Sequence, residues 1–370
     1  MHRKIKEAGL EKHKQRAPMK NPYLTSTEAT TDPLVTIAIP TFNRASWLGD
    51  CILAALAQTY PHFEVVVSDN ASTDATSELL RGISDPKLRV LTQKSNIGQI
   101  PNWNACLAEA KGDYVVFVSD DDRIAPSLLE RCIALVKREG QVQVVVALSD
   151  VYFAAQSVTW HAPHNRKLTT GIWDGADILE EYLEDRISAA MCSMMFSTEG
   201  LRTEGGFPVD FTFASDTIAW FSLILNGRAG LVNRSCATLC VHTANLTSTL
   251  DLETRLSCLR RLVDLISEKA DHCIGNTQRR RDFQLTVRRY FARYAIGALA
   301  SYRRDGADLS QVIPVMWQLR RYLRHIGLND SKKIARFVVI IALPAALTRW
   351  TRGIVRMRFL TKLSPTSEPS

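Results

Sequence analysis

The chain has 370 residues, 46% of them apolar and 23% charged, a balance that fits a globular protein rather than a disordered one. That length holds one large α/β domain with an extension, or two domains. The net charge of +8 is carried by the ends: residues 1–20 contribute +5 and residues 331–370 contribute +7, so residues 21–330 sum to −4. Basic ends of this kind suit nucleic acid or an anionic membrane surface.

Residues 1–33 are polar and charged and read as a flexible or weakly helical basic arm. Regular structure then begins. Residues 35–39 form an apolar strand bounded by Pro40. Residues 45–58 place Trp47, Leu48, Cys51, Ile52, Ala55 and Leu56 at helical spacing. Strands follow at 64–68, 88–91, 114–118 and 142–148, separated by helices at 74–81, 100–110 and 126–137. Strands alternating with helices predict a doubly wound, mainly parallel sheet over residues 35–150. The eight cysteines include no Cys-x-x-Cys pair, and most have apolar neighbours, which predicts buried free thiols. The N-terminus has charge but no apolar run, so no secretory signal is expected and the bulk of the chain is placed in the cytoplasm.

Residues 114–122 read YVVFVSDDD, an apolar strand that ends in three consecutive carboxylates. Crowded carboxylates repel one another, and burial raises the cost of ionising them. A hard divalent cation removes both penalties and bridges protein oxygens to substrate phosphates. The same run also suits an acidic turn in water ahead of the helix after Pro126, and the segment alone leaves both readings open. No G-x-G-x-x-G follows any strand and no G-x-x-x-x-G-K-[ST] occurs, which argues against dinucleotide oxidoreductases and P-loop NTPases. Polar groups instead stand at successive strand ends: Thr41 and Asn43, Asp69, Asn96, and Asp120 to Asp122. In a parallel sheet these share one edge, where α/β proteins bind ligands.

The motifs TIAIPTFNRASWL, VVVSDNASTD and SNIGQIPNWNACLAEAKGDYVVFVSDDD, in this order and at this spacing, resemble those of family 2 glycosyltransferases, the inverting enzymes of the GT-A fold. The resemblance implies that Thr41, Asp69, Asn96 and Asp120 contact the nucleotide-diphosphate sugar, with UDP the commonest donor nucleotide. It implies that Asp121 holds a divalent metal, Mn or Mg, with Asp122 beside it. Ser119 stands where the family usually begins its Asp-x-Asp element. Thr41 also reads as a turn hydroxyl, Asp69 as an Asx turn or N-cap, and Asn96 as part of a turn with Gly98.

Farther along, RTEGGFPVDFTFASDTIAWFSLIL resembles the family's Gly-Gly-Phe stretch and places Asp216 at its general-base position, with Ser215 where a second acid often stands. Either Ser215 or Asp216 would also cap the apolar helix that follows. His242, after a strand, matches a position where relatives carry a His on the metal or diphosphate; a packed or surface His is the plainer reading. Trp160, Trp173 and Tyr182 suit either sugar stacking or the core. There is no Gln-x-x-Arg-Trp, the element of processive synthases, so one sugar per encounter is expected.

Residues 34–250 are therefore expected to form a GT-A-type domain, 251–330 a helical C-terminal extension, and 331–370 a basic tail. Its apolar run, 337–347, is too short to span a bilayer, which needs about 20 residues. With basic residues and Trp350 around it, the run fits an in-plane anchor or a helix packed on protein. The expected activity is metal-dependent transfer of one sugar to a hydroxyl of a glycan or lipid-linked acceptor, at the inner face of the cytoplasmic membrane, with no nucleic acid partner. The alternatives are a non-catalytic glycan- or partner-binding protein of the same fold, or a sugar nucleotidyltransferase. The latter would want a glycine-rich first turn with a basic residue.

Overall fold

The computed structural model describes residues 32–242, 250–304 and 307–323. The basic arm, apart from its last two residues, lies outside the described residues. So do the tail of 331–370 and its apolar run.

Among the described residues, ten strands form one mixed sheet. β1 (Val35–Thr41) pairs in parallel with β2 (Phe63–Asp69) on one side and β4 (Tyr114–Phe117) on the other, and β2 pairs in parallel with β3 (Leu88–Thr92). A tight hairpin cannot join parallel strands, so helices make the crossovers: α1 (Ala45–Leu56), α2 (Thr76–Gly82) and α3 (Gln99–Glu109). Beyond β4 come β9 (Met194–Ser197), β6 (Val144–Phe153), β10 (Arg228–Val241) and the short β5 (Arg123–Ile124). β9 is antiparallel to both β4 and β6, whereas β6 and β10 are parallel. β7 (Val158–Trp160) pairs with β6, and β8 (Gly171–Asp174) with β10, both antiparallel. The five strands and four helices expected up to residue 150 are all present, with small shifts at their ends. β5, a two-residue strand, and β9, inserted between two distant segments, leave no periodic trace in the sequence.

Alternation along each strand divides the interior into two layers. Val35, Ile37 and Ile39 of β1 face α1, α2 and α4 (Leu128–Glu139), while Ala38 faces the opposite layer. Tyr114 and Val116 go with the first set, Val115 and Phe117 with the second. The second layer contains α3, α5 (Gly175–Leu183), α6 (Thr198–Thr203) and α7 (Ser215–Ile224). Both faces of the central strands are covered, which is why they read as unbroken apolar runs.

Three helices complete the second layer: α8 (Leu252–Cys273), α9 (Thr277–Arg304) and α10 (Leu309–Leu323). Leu256, Leu259, Val263 and Ile266 of α8 and Phe283, Val287 and Phe291 of α9 join the same buried cluster as Trp103, Phe117 and Phe221. Each such side chain contributes roughly 1.5–3 kcal/mol by burial. Arg279 of α9 reaches Asp174 at 3.0 Å and Asp177 at 2.9 Å, tying α9 to the start of α5. The helical extension thus shares one core with the sheet.

Candidate active site

The chain winds outward from β1 through β2 and β3, then returns to lay β4 on the other flank of β1. Where strand order reverses, the departing loops diverge and leave a crevice. Thr41 ends β1, and Asp120, Asp121 and Asp122 follow β4. A cavity of about 720 Å³ opens there, and its lining includes Thr41, Asn96, all three aspartates and Asp216. Residues far apart in sequence are therefore brought to one chamber.

The three aspartates face three directions. Asp120 Oδ2 accepts from Thr41 Oγ1 at 2.8 Å. Asp121 Oδ2 lies 2.8 Å from His242 Nε2, and an ionised carboxylate makes that contact a hydrogen bond only if the ring nitrogen carries the proton. Asp122 Oδ1 accepts from the Cys240 N–H at 2.9 Å. Burial pushes the Asp120 carboxyl up to about 7, against the opposing hydrogen bond from Thr41. Burial and then the neighbouring Asp121 charge push Asp122 up to about 8. Two of the three carboxyls in the loop between β4 and β5 therefore resist ionisation where they lie.

His242 follows β10 and stacks on Trp47 of α1, with ring centroids 4.8 Å apart and an interplanar angle of 12°. Trp47 fixes the ring plane, and Asp121 fixes the ring edge. Nothing local in the sequence links the two rings, because they come from opposite ends of the domain.

Asp69 ends β2 as expected, in register with Thr41. Its residue is 1% exposed, and Oδ1 accepts from the Ser72 N–H at 3.0 Å. That contact spans three residues, the step of an N-cap, rather than the two of an Asx turn. Asn70, not Asp69, is among the cavity-lining residues. The Asn70 carboxamide donates to Asn96 Oδ1 at 2.9 Å and accepts from the Ile97 N–H at 2.9 Å. Asn96 Oδ1 also accepts from the Gly98 N–H at 2.9 Å, and Gly98 takes a φ of +92° that suits glycine. Asn96 therefore organises its own loop as well as lining the cavity. Asn43, at a φ of +54°, accepts from the Thr73 N–H at 2.7 Å and so joins the loops after β1 and β2. Asp74 supports them from below: one oxygen takes the Ala45 N–H at the start of α1, the other the Thr76 N–H at the start of α2.

Asp216 lies in the first turn of α7 and is half-buried, with burial raising its carboxyl above the usual range. Neither expected cap is the N-cap. That position is Ala214, at a φ of +65°, while Ser215 Oγ donates to Pro208 O at 2.9 Å. Asp216 is thus left facing the cavity without a second acid beside it in sequence. Tyr182 of α5 and Tyr290 of α9 line the same chamber, with ring centroids 6.0 Å apart. Tyr182 also meets Trp220 of α7 edge-on at 4.9 Å. Trp173 is core: it is 2% exposed and donates from Nε1 to Thr169 O at 2.9 Å. Trp160 lies half-buried on β7. Seven of the eight cysteines are buried, as expected, and Cys273 is exposed. Tyr290 was not legible as a cavity residue, because it sits among the arginines and aromatics of an ordinary amphipathic helix.

Asp121 Oδ2 and His242 Nε2 lie 2.8 Å apart and offer one oxygen and one nitrogen, a pair of donor atoms suited to Mn or Mg. Asp122 is committed to the Cys240 amide. Among the described residues no three His, Cys, Asp or Glu side chains form a ready ligand set. The pair fits an ion whose remaining ligands come from phosphate oxygens and water.

Residues 36–197 match the family model described as glycosyl transferase family 2. This region is a family 2 glycosyltransferase domain. An uncharacterized protein of Mycobacterium tuberculosis, MT1568, is 26% identical over 62% of this chain and 73% of its own length. Chondroitin synthase of Pasteurella multocida is 27% identical over 60% of this chain, but only 22% of that longer protein is covered. Among solved structures, S. aureus TarS 1–349 in complex with UDP-GlcNAc superposes with a TM-score of 0.58 at 18% identity, covering 83% of this chain and 90% of that one. The sheet has the GT-A arrangement of glycosyltransferases, and the match to the sugar-transferring family falls on residues 36–197.

Proposed function

We propose that this glycosyltransferase moves one sugar, with inversion, from a nucleotide-diphosphate sugar to a hydroxyl of a glycan or lipid-linked acceptor, assisted by a divalent metal. The observation that carries this reading is the shared chamber, in which Asp120, Asp121 and Asp122 enter from the β4 side and Asp216 from the start of α7. UDP is the nucleotide we assign, since the TarS structure was solved with UDP-GlcNAc. A glycan acceptor is supported by the likeness to chondroitin synthase.

In this reading Thr41, Asn96, Asp120 and the segment at Asp69 hold the nucleotide end of the donor. Asp216, as a carboxylate, takes the proton from the acceptor hydroxyl while that oxygen bonds to the anomeric carbon and the bond to the diphosphate breaks. Burial raises the basicity of Asp216, which suits a base that must accept a proton near neutral pH. Asp121 and His242, with Asp122 behind them, would hold a Mn or Mg ion that neutralises charge on the departing diphosphate. Ser215, tied to Pro208, keeps the start of α7 in place.

No described helix is long and apolar enough to cross a membrane. The basic residues of 331–370 support peripheral contact with an anionic membrane surface, at the cytoplasmic face.

The test is thermal stabilisation by UDP, with and without Mn²⁺ or Mg²⁺, of the wild type and of Asp121→Asn. Binding to the folded state raises apparent stability by mass action. The metal-dependent part of the stabilisation should appear in the wild type and vanish in the variant. Stabilisation indifferent to metal in the wild type would overturn the metal assignment. No response to any nucleotide diphosphate would overturn the donor assignment.

A further inference from the structure

Three of the ten large apolar side chains exposed among the described residues lie on one helix: Leu309, Ile313 and Trp317 of α10, at 39%, 56% and 68% exposure. Their spacing of four places them along one side of the helix. Pro314, beside them, is exposed too. The remaining exposed apolar side chains are scattered over other elements, as on most protein surfaces. The other side of α10 is core. Val312, Leu319 and Tyr322 are 0%, 1% and 5% exposed, and Tyr322 meets Phe291 of α9 edge-on at 4.6 Å. The helix is therefore anchored by one face and presents a second apolar strip outward.

Charge indicates what this strip meets. α10 contains no acidic residue, and Arg320 lays its guanidinium 4.5 Å over the ring of Trp317. The sequence continues into residues 331–370, which carry eight Lys/Arg against one Glu. An aromatic ring with a cation beside it, on an amphipathic helix leading into a basic segment, matches the boundary between lipid headgroups and acyl chains. A protein partner with an apolar groove would satisfy Leu309 and Ile313 but gives no reason for the clustered positive charge.

We propose that the outer strip of α10, Leu309, Ile313 and Trp317 with Arg320, is a membrane-docking surface for anionic lipid. It rests on the peripheral-membrane reading above and places part of the contact on the folded enzyme as well as on the basic tail. Docking through α10 holds the catalytic body against the bilayer, because α10 shares a core with α9, whose Tyr290 lines the chamber. Acceptors presented at the membrane surface then meet the site without the whole enzyme swinging on a tether.

The experiment measures co-sedimentation of the full chain with phosphatidylcholine vesicles, with and without phosphatidylglycerol. Three proteins are compared with the wild type: Trp317→Ser, Ile313→Ser with Trp317→Ser, and a tail charge reversal, Lys332→Glu with Lys333→Glu and Arg336→Glu. Retained thermal stabilisation by UDP confirms that each variant is folded. The wild type should bind the anionic vesicles, and removing the Trp317 indole should weaken partitioning about tenfold, with the double variant weaker still. If the strip variants bind like the wild type while the charge reversal releases the protein, the tail alone docks and the inference fails, but the peripheral reading stands. If the wild type ignores anionic vesicles, both fail. Tighter binding by the strip variants would mean that the strip normally holds the tail, and a dimer that the strip variants dissociate would mean that it pairs copies of the chain. Either result overturns the proposal.

Discussion

Asn104 of α3 clasps the backbone of Phe207 on both sides, donating from Nδ2 to Phe207 O at 2.8 Å and accepting the Phe207 N–H on Oδ1 at 2.9 Å. This pair fastens the Gly-Gly-Phe stretch, and with it the approach to Asp216, to a helix of the nucleotide-side half. The two halves of the cavity therefore keep a fixed separation. Gly206 takes part by having no side chain: its φ is +72°, and a Cβ would meet Asn104 Oδ1 at 2.6 Å.

Asn104→Ala should destabilise the protein by about 1–3 kcal/mol, since two backbone groups lose their partner. Gly206→Ala should cost about the same through strain and the close approach. In a double-mutant cycle by urea denaturation, the combined loss should be smaller than the sum, because shortening Asn104 makes room for the new methyl. Strict additivity would show that the two residues act separately.

Asp216→Asn should keep UDP-dependent thermal stabilisation while lowering transfer, or slow donor hydrolysis to water, by about 10²–10⁴-fold. The amide is nearly isosteric but does not take the acceptor's proton. In the wild type the rate should fall on the acid side as Asp216 protonates, above the pH expected for an ordinary aspartate. Normal turnover by the variant would reduce Asp216 to a helix-start residue.

Without metal, stability should decline as pH rises. Asp120 and Asp122 are raised from 3.8 to about 7 and about 8, so between those values the native state holds protons that the unfolded chain has released. Their contribution is complete below the unfolded value and is lost as pH climbs through the folded ones. Urea unfolding across this range should show the slope, and Asp122→Asn should flatten it. Stability that instead climbs steadily from pH 4 to 8 would contradict these shifts.

Trp47→Ala should loosen the His242 ring and weaken the metal dependence of nucleotide stabilisation by about 10–100-fold, the usual scale for groups that orient a ligand. Metal titrations followed by melting temperature read this directly. An unchanged titration midpoint would mean that Asp121 alone orients the imidazole, or that His242 does not bind metal.

Much of the fold was legible because its physics is local. The strands around Ile37, Val66 and Val116 are buried on both faces, so they read as apolar runs, and helical spacing marks α1 and α4. The cluster after Phe117 was legible for a similar reason: three adjacent carboxylates at a strand end are costly unless something offsets them. The roles of Asn96 and Asp69 were less legible. A short polar side chain in a loop satisfies backbone donors and ligands equally well, and the choice depends on where neighbouring loops run. In the folded chain both side chains support the loops, and Asn70 lines the cavity beside Asn96.

The sequence by itself determined the order of the main strands and helices before residue 150, the position of Asp120 to Asp122 at the end of a buried strand, and the acid that opens α7. Each depends on residues within a few turns of one another. Tertiary structure alone decided that His242 would stack on Trp47, that Asn104 would hold Phe207, that Tyr290 would enter the chamber, and that α10 would turn Trp317 outward. Those outcomes depend on how the two layers pack around the sheet. Packing distances between remote segments have no periodicity or composition through which a sequence can display them.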